Sequence, residues 1–313
     1  KVSGEELMGA IEVGATGIID DSGSRLHIAT VLDRDLLLRI ATQRSRVTVL
    51  DGNAEVSPAE TQFFEAVQEA VSGSGVDAEA TALVVPAWWS EQCREGVAAL
   101  LAQDDVPIVM VDDAVAAVTE YAAEVGAVPE TIAVVSLRAA QSSVVVVTNC
   151  QTNPETLPSP ARFHDEGGDD LDAALLRHLL ASLASIDDID VVTTTAATAG
   201  ALMQCRSVRE SLSRAATESI RLDMPGVNAA VRIVRSELEE IARPWVDDVV
   251  RLVVSSIELY GAPVDAVLLT GGVAAMPLVS QRISADIGME VLLPTEPALV
   301  SVRGAERLRK RLA

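Results

Sequence analysis

The sequence predicts an α/β protein: mixed parallel sheets flanked by helices, arranged as two domains or as one large two-lobed fold. Two observations carry that expectation. Short, wholly apolar strands such as TALVV at 81–85 alternate with amphipathic helices, and strands without a polar face imply a parallel sheet covered on both sides. With 313 residues, 49% of them hydrophobic, the chain can bury a sizeable core and disorder is excluded as its general state.

The elements follow in order. Residues 46–50 (RVTVL) read as a strand closed by Asp51-Gly52-Asn53. Ser57 then serves as N-cap, Pro58 as first helical residue and Glu60 as the partner in a capping box, with Phe63, Val67 and Ala70 on one apolar face up to VSGSG at 71–75. Strand 81–85 leads through PAWWS to a helix at about 91–101, and strand 106–111 (VPIVMV) to a helix over 114–123. In IAVVSLRAAQSSVVVV at 132–147, two β-branched runs flank SLRAAQ, which spells a hairpin. Its connection lacks the Gly, Asn or Asp that a tight turn normally asks for. Pro154, Pro158 and Pro160 mark the exit loop. Helices are expected at 171–183, at 206–221 (long and polar) and at 243–260, the last with Trp245, Val249, Leu252 and Val253 on its apolar face. A buried strand at 267–270 enters Gly271-Gly272, followed by a helix at 277–287, a strand at 290–293 and a terminal helix containing RLRKRLA.

Composition narrows the chemistry. A formal charge of -22 repels phosphate backbones and anionic lipid surfaces, so nucleic acid is not an expected partner. Lysine occurs only at Lys1 and Lys310, which removes a Walker A loop, a kinase strand lysine and a Schiff-base lysine. Cys93, Cys150 and Cys205 have no metal-ligand spacing and read as buried small hydrophobes of a reducing compartment. No apolar run reaches the roughly 18 residues of a membrane span, and no signal peptide opens the sequence. No GxSxG or HExxH is present, and His27, His164 and His178 fit no triad. His164 beside Asp165 reads as a solvated pair rather than a catalytic dyad.

Three places are suited to ligands, each with a plainer reading. Gly271-Gly272, between strand and helix, lets backbone amides approach a phosphate or sugar, or forms an ordinary turn. Gly167-Gly168 in DEGGDDLD precedes a helix whose acidic first turn suits its dipole. Asp112-Asp113 either bind a metal ion or cap a helix.

Taken together the segments resemble, in order, the nucleotide-binding domain of the seventy-kilodalton heat-shock chaperones, within the actin and sugar-kinase superfamily. VVPAWWSEQCR resembles the family's strand into VPAYF, and DDAVAAV at 112–118 its NEPTAAA helix start. GGDDLD at 167–172 is similar to GGEDFD, CRSVRESLS at 205–213 to CERAKRTLS, and VLLTGGVAAMP at 267–277 to the adenosine motif VLVGGSTRIP. Gly304-Ala305 matches the closing helix. Divergent actinobacterial members, some membrane-anchored beyond this domain, look similar at VPAWW and DDAVAAV.

The resemblance implies a two-lobed actin-like fold: a shortened lobe I over 1–129, lobe II over 130–299 with a small helical subdomain near 206–260, and a helix at 300–313 returning toward lobe I. It also implies what the hairpin has lost. The family's second phosphate loop, DLGGGT, falls on Ser136, Leu137, Arg138, Ala139, Ala140 and Gln141, so its Asp and all three glycines are gone. A Cβ at each former glycine hinders both positive φ and close phosphate approach. The family's catalytic glutamate falls on Asp113, and its catalytic lysine has no counterpart. The first phosphate loop is matched at best by AIEVGATG, with Glu12 for the Asp and with Gly14 and Thr16 kept. The adenine clamp falls on Arg206, Arg209, Glu210 and Ser213, facing Gly271-Gly272.

The expected function is therefore a chaperone-like pseudo-ATPase acting as a regulatory or scaffolding domain through an unnamed protein partner. It would be cytoplasmic or the cytosolic part of an anchored protein. No cofactor is required and no metal is bound; ATP, ADP or adenosine would bind weakly, mainly through the adenosine. The alternatives are an active ATP-dependent chaperone and an interaction module that binds no nucleotide. Arg138 either points to solvent from the hairpin tip or bridges to Asp113 or Glu12 and holds the lobes together.

Overall fold

The computed structural model describes residues 10–13, 28–30, 81–87, 94–95, 98–99, 108–139, 141–156, 162–164, 166–184 and 195–312. The strand expected at 46–50, the helix begun at Ser57, and Gly14, Thr16 and Asp165 lie outside these residues.

Two sheets organise the chain. The first contains β1 (Ala10–Val13), β2 (Ile28–Thr30), β3 (Thr81–Val85) and β4 (Ile108–Asp112), all parallel, in the order β2-β1-β3-β4. The second contains β5 (Ile132–Leu137), β6 (Ser142–Thr148), β7 (Glu155–Thr156), β8 (Arg162–His164), β11 (Ala266–Thr270) and β12 (Glu290–Leu292). Its order is β12-β11-β5-β6-β7, with β8 also on β6. β12, β11 and β5 run parallel, and β6 turns antiparallel through the predicted hairpin. The connection is shorter than SLRAAQ suggests: Ser136 and Leu137 belong to β5, leaving four residues between the strands.

Helix α1 (Asp113–Val125) lies between the sheets. Its Ala114, Ala117 and Val118 pack with Ile132, Val134 and Leu268 of the second sheet, while Ala116 packs with Ala82 and Val84 of the first. Alanines along this helix keep both sheets close. The terminal helix α6 (Val300–Leu312) crosses α1 in backbone contact, because a Cβ on Gly304 would sit 1.8 Å from the Ala116 carbonyl oxygen. The largest core lies on the other face of the second sheet, where Ala133, Val135 and Leu137 meet α2 (Gly168–Ala184), α3 (Thr195–Leu212), α4 (Arg235–Tyr260) and α5 (Pro277–Ile287).

Two expectations are corrected. The polar helix placed at 206–221 is α3, which ends at Leu212; from Thr217 the chain is strand β9 (Thr217–Met224), paired antiparallel with β10 (Val227–Val234). Ile220, Leu222 and Met224 are buried while Ser219, Arg221 and Asp223 are exposed, a period of two that only a strand satisfies. Pro225-Gly226, with Gly226 at φ 85°, makes the turn. The stretch expected as a helical subdomain near 206–260 thus contains a hairpin between its helices. Helix α4 begins at Arg235 rather than at 243, with Pro244 inside it; the Glu237 carboxylate accepts the Val234 N–H at 2.8 Å and starts the helix upstream of the proline.

Candidate functional site

Asp113 stands where β4 passes into α1, and its carboxylate is fully engaged by the protein. Oδ1 accepts the N–H groups of Ala87 and Ala114, both at 2.8 Å. Oδ2 accepts the Ser136 hydroxyl at 3.3 Å and the Arg138 guanidinium at 2.9 Å. Thr270 extends the chain by donating to Ser136 Oγ at 3.0 Å. Arg138 does not point to solvent: the side chains of the pair are 8% and 3% exposed. Its stem runs inward from the β5–β6 turn to the end of the first sheet, so one buried ion pair joins the two sheets. Neighbouring Asp112 is taken up separately, by Arg94 and by the Thr156 hydroxyl at 2.9 Å. Neither aspartate side chain is the plain N-terminal cap of α1.

The same turn closes the N-terminus of α2. Gly168 N–H donates to the Arg138 carbonyl at 2.9 Å and Asp169 N–H to the Ala139 carbonyl at 2.8 Å. Gly167 N–H donates to Asp170 Oδ2 at 2.8 Å. A Cβ on Gly167 would lie 2.5 Å from the carbonyl oxygens of both Arg138 and Ala139, so the glycine permits contact with the turn. Gly167 and Gly168, expected to offer amides to a ligand, donate them within the protein instead.

The residues expected to clamp an adenine separate into two groups. Arg209 is buried and forms a forked pair with Asp172, Nε to Oδ1 at 2.7 Å and Nη2 to Oδ2 at 3.2 Å. Arg206 reaches Asp172 Oδ2 at 3.4 Å and also pairs with Asp169. Both arginines, expected against a base, instead fasten α3 to α2. Glu210 and Ser213 do line a cavity of about 780 Å³, together with Arg214, Gly272, Glu296 and Pro297. Of the glycine pair only Gly272 faces it, with open space where a Cβ would be. Gly271, at φ 89°, donates its N–H to the Pro297 carbonyl at 2.8 Å and packs on Leu137, whose carbonyl oxygen a Cβ would meet at 2.1 Å.

Glu12 lies in β1 at the register of Ala29 and Val84. Cys150 and Cys205 are buried free thiols whose pKa burial pushes up to about 12, as the small-hydrophobe reading expects. Sequence reasoning missed the Arg209–Asp172 fork and the closure of α2 by the turn. Both depend on which helices and loops become neighbours, and no local pattern announces that.

The fold and this arrangement of segments have relatives. The family model described as "Hsp70 protein" matches residues 52–305, and the chain belongs to that family. The mixed parallel and antiparallel sheets with interleaved helices agree with the actin-like ATPase fold of the family. A protein described as "Chaperone protein HscA homolog", from Bordetella pertussis, is 29% identical over 143 residues, which cover 44% of this chain and 22% of that protein.

Proposed function

We propose that this is a catalytically silent member of the family, a pseudo-ATPase domain that scaffolds or regulates a protein partner while locked in one arrangement of its sheets. The observation that carries the reading is the Arg138–Asp113 pair. Metal–triphosphate chemistry needs a carboxylate able to orient water or metal, amides open to phosphate, and positive charge at the γ-phosphate. Here the carboxylate at the family's glutamate position has four donors on it already, and the α2 amides face carbonyls. Lysine is absent between Lys1 and Lys310. These residues do not fit a magnesium-bound triphosphate.

They do fit a neutral nucleoside. The cavity falls within the usual range for small ligands, and Glu210 can accept from an adenine amino group or a ribose hydroxyl. Its wall sets Glu210 and Glu296 against Arg214, and Glu296 is paired with Arg303, so it holds no surplus of positive charge to draw in a phosphate. Calorimetry with adenosine, AMP and ATP, with and without magnesium, together with a hydrolysis assay, tests both halves. The expected result is no turnover above background and affinities for the three ligands within about tenfold. Magnesium-dependent turnover abolished by Asp113→Ala, or a preference for ATP of 100-fold or more, about 2.7 kcal/mol, would overturn the reading.

A further inference from the structure

A second cluster of chemistry-bearing side chains lies apart from the cavity. His164, Glu166 and Asp248 each bring one potential ligand atom to within 4.8 Å of the others. They come from separate places in the chain: His164 ends β8, Glu166 lies in the connection to α2, and Asp248 sits midway along α4. The backbone bearing the first two is pinned to the second sheet, with His164 paired opposite Ser142 and the Ser142 hydroxyl donating to the Glu166 carbonyl at 3.0 Å. α4 packs against this edge through its contact with β8.

A separate observation points to a ligand. His164 Nδ1 is buried and has no hydrogen-bond partner. Leaving a buried polar atom without a partner is costly, so an imidazole held in this state beside two carboxylates calls for an explanation. Asp248 is paired with Arg251 one turn along α4, but that arginine is largely exposed and such a surface pair is readily given up.

We propose that His164, Glu166 and Asp248 form a binding site for one divalent first-row metal ion, Zn²⁺ or Mn²⁺, with water completing its shell. The imidazole favours such ions over Mg²⁺ and Ca²⁺, which take all-oxygen shells, and the two carboxylates disfavour soft monovalent copper. Two carboxylates also balance the double charge. The ion would tie α4 to the segment entering Gly167-Gly168 and so stiffen the place where α2 meets the hairpin turn. This assignment does not rest on the pseudo-ATPase reading and survives its failure.

The test is calorimetric titration of the untagged, metal-stripped chain with Zn²⁺ and Mn²⁺, with Mg²⁺ and Ca²⁺ in parallel, and a melting curve at each saturation point. One site per chain is expected for Zn²⁺ or Mn²⁺, with a rise in Tm. Glu166→Gln and Asp248→Asn should each weaken it at least about tenfold, since even outer-shell changes cost 10–100-fold. Glu166 is exposed, so its variant tests the site without endangering the fold. His164→Gln should abolish the preference over Ca²⁺, with circular dichroism checking that the variant is folded. Binding untouched by all three variants would place the ion elsewhere on this acidic surface and overturn the proposal. So would equal affinity for Ca²⁺, or no binding of Zn²⁺ and Mn²⁺ at about 1 mM, the weak end of protein metal sites.

Discussion

Arg138 carries a long apolar stem and a permanent positive charge inward from the hairpin turn, and the charge satisfies Asp113. Removing one partner of a buried pair strands the other, typically at about 3–5 kcal/mol. Arg138→Ala is therefore expected to lower unfolding stability by about that amount in urea titrations, and Asp113→Ala by a similar amount. The double variant should lose clearly less than the sum, because neither charge is then left alone. Simple additivity would show that the pair contributes little as a pair. The two buried thiols give a pH prediction at the same scale. Their pKa is raised to about 12 by burial, so the folded state favours the protonated form. Their contribution to stability is full below the ordinary thiol value of about 8.5 and is lost as pH rises from there through the folded value. Neither thiol should react with a maleimide at pH 7.5 until the protein unfolds; stoichiometric native-state labelling of Cys150 or Cys205, read by mass spectrometry, would contradict this.

Single elements show what could be read ahead of the structure. β3 and β11 were legible because continuous apolar runs bounded by Pro86 and by Gly271-Gly272 have no helical alternative of that length. α5 was legible to the residue, since Pro277 opens it and Gly288, at φ 70°, closes it. β9 was not, although its alternation of Ile220, Leu222 and Met224 with charged neighbours stood in plain view. The charges continue the polar face of α3, and a helix reading absorbed them. Pro244 misplaced the start of α4 for a similar reason: proline is commonest at a helix's first turn, and here packing on both sides overrides that preference. At the site, Arg138 and Asp113 stood out through the resemblance of their segments to the family's, whereas the use of Arg206 and Arg209 as helix fasteners depends on how α2 and α3 meet. That fastening predicts that Arg209→Lys, which cannot reproduce the fork onto Asp172, will be destabilising although charge is conserved. The α1–α6 crossing makes a second element-scale prediction. Gly304→Ala places a carbon against backbone that cannot rotate away, so the helices must separate and Tm should fall by several degrees, about what 1–3 kcal/mol of overpacking implies.

Over the whole molecule, a formal charge of -22 makes the folded chain repel itself. Much of that repulsion acts between exposed carboxylates and is screened by salt, whereas the Arg138–Asp113 pair is shielded from solvent. Raising sodium chloride from about 0.01 M to about 0.2 M, which shortens the screening length from about 30 Å to below 10 Å, should therefore raise Tm. The Arg138–Asp113 coupling measured by the double variant should stay nearly constant over the same range. A coupling that fades with salt would mean that water reaches the pair. Among the described residues no helix is long and apolar enough to cross a membrane.

The two bonds from the hairpin turn to the start of α2 join segments distant in the chain, and no other bond of their own helix holds those amides. Their hydrogens can exchange with solvent deuterium only when the turn withdraws. The exchange rates at Gly168 and Asp169 thus measure the free energy of parting the turn from the helix, separately from global unfolding. In a domain locked by Arg138, both amides should be among the slowest in the chain, and Arg138→Ala should accelerate them well before it affects the amides of β11. A partner that acts by prising the domain open would leave its mark first at these two positions, and one that merely docks on the closed form would leave them unchanged.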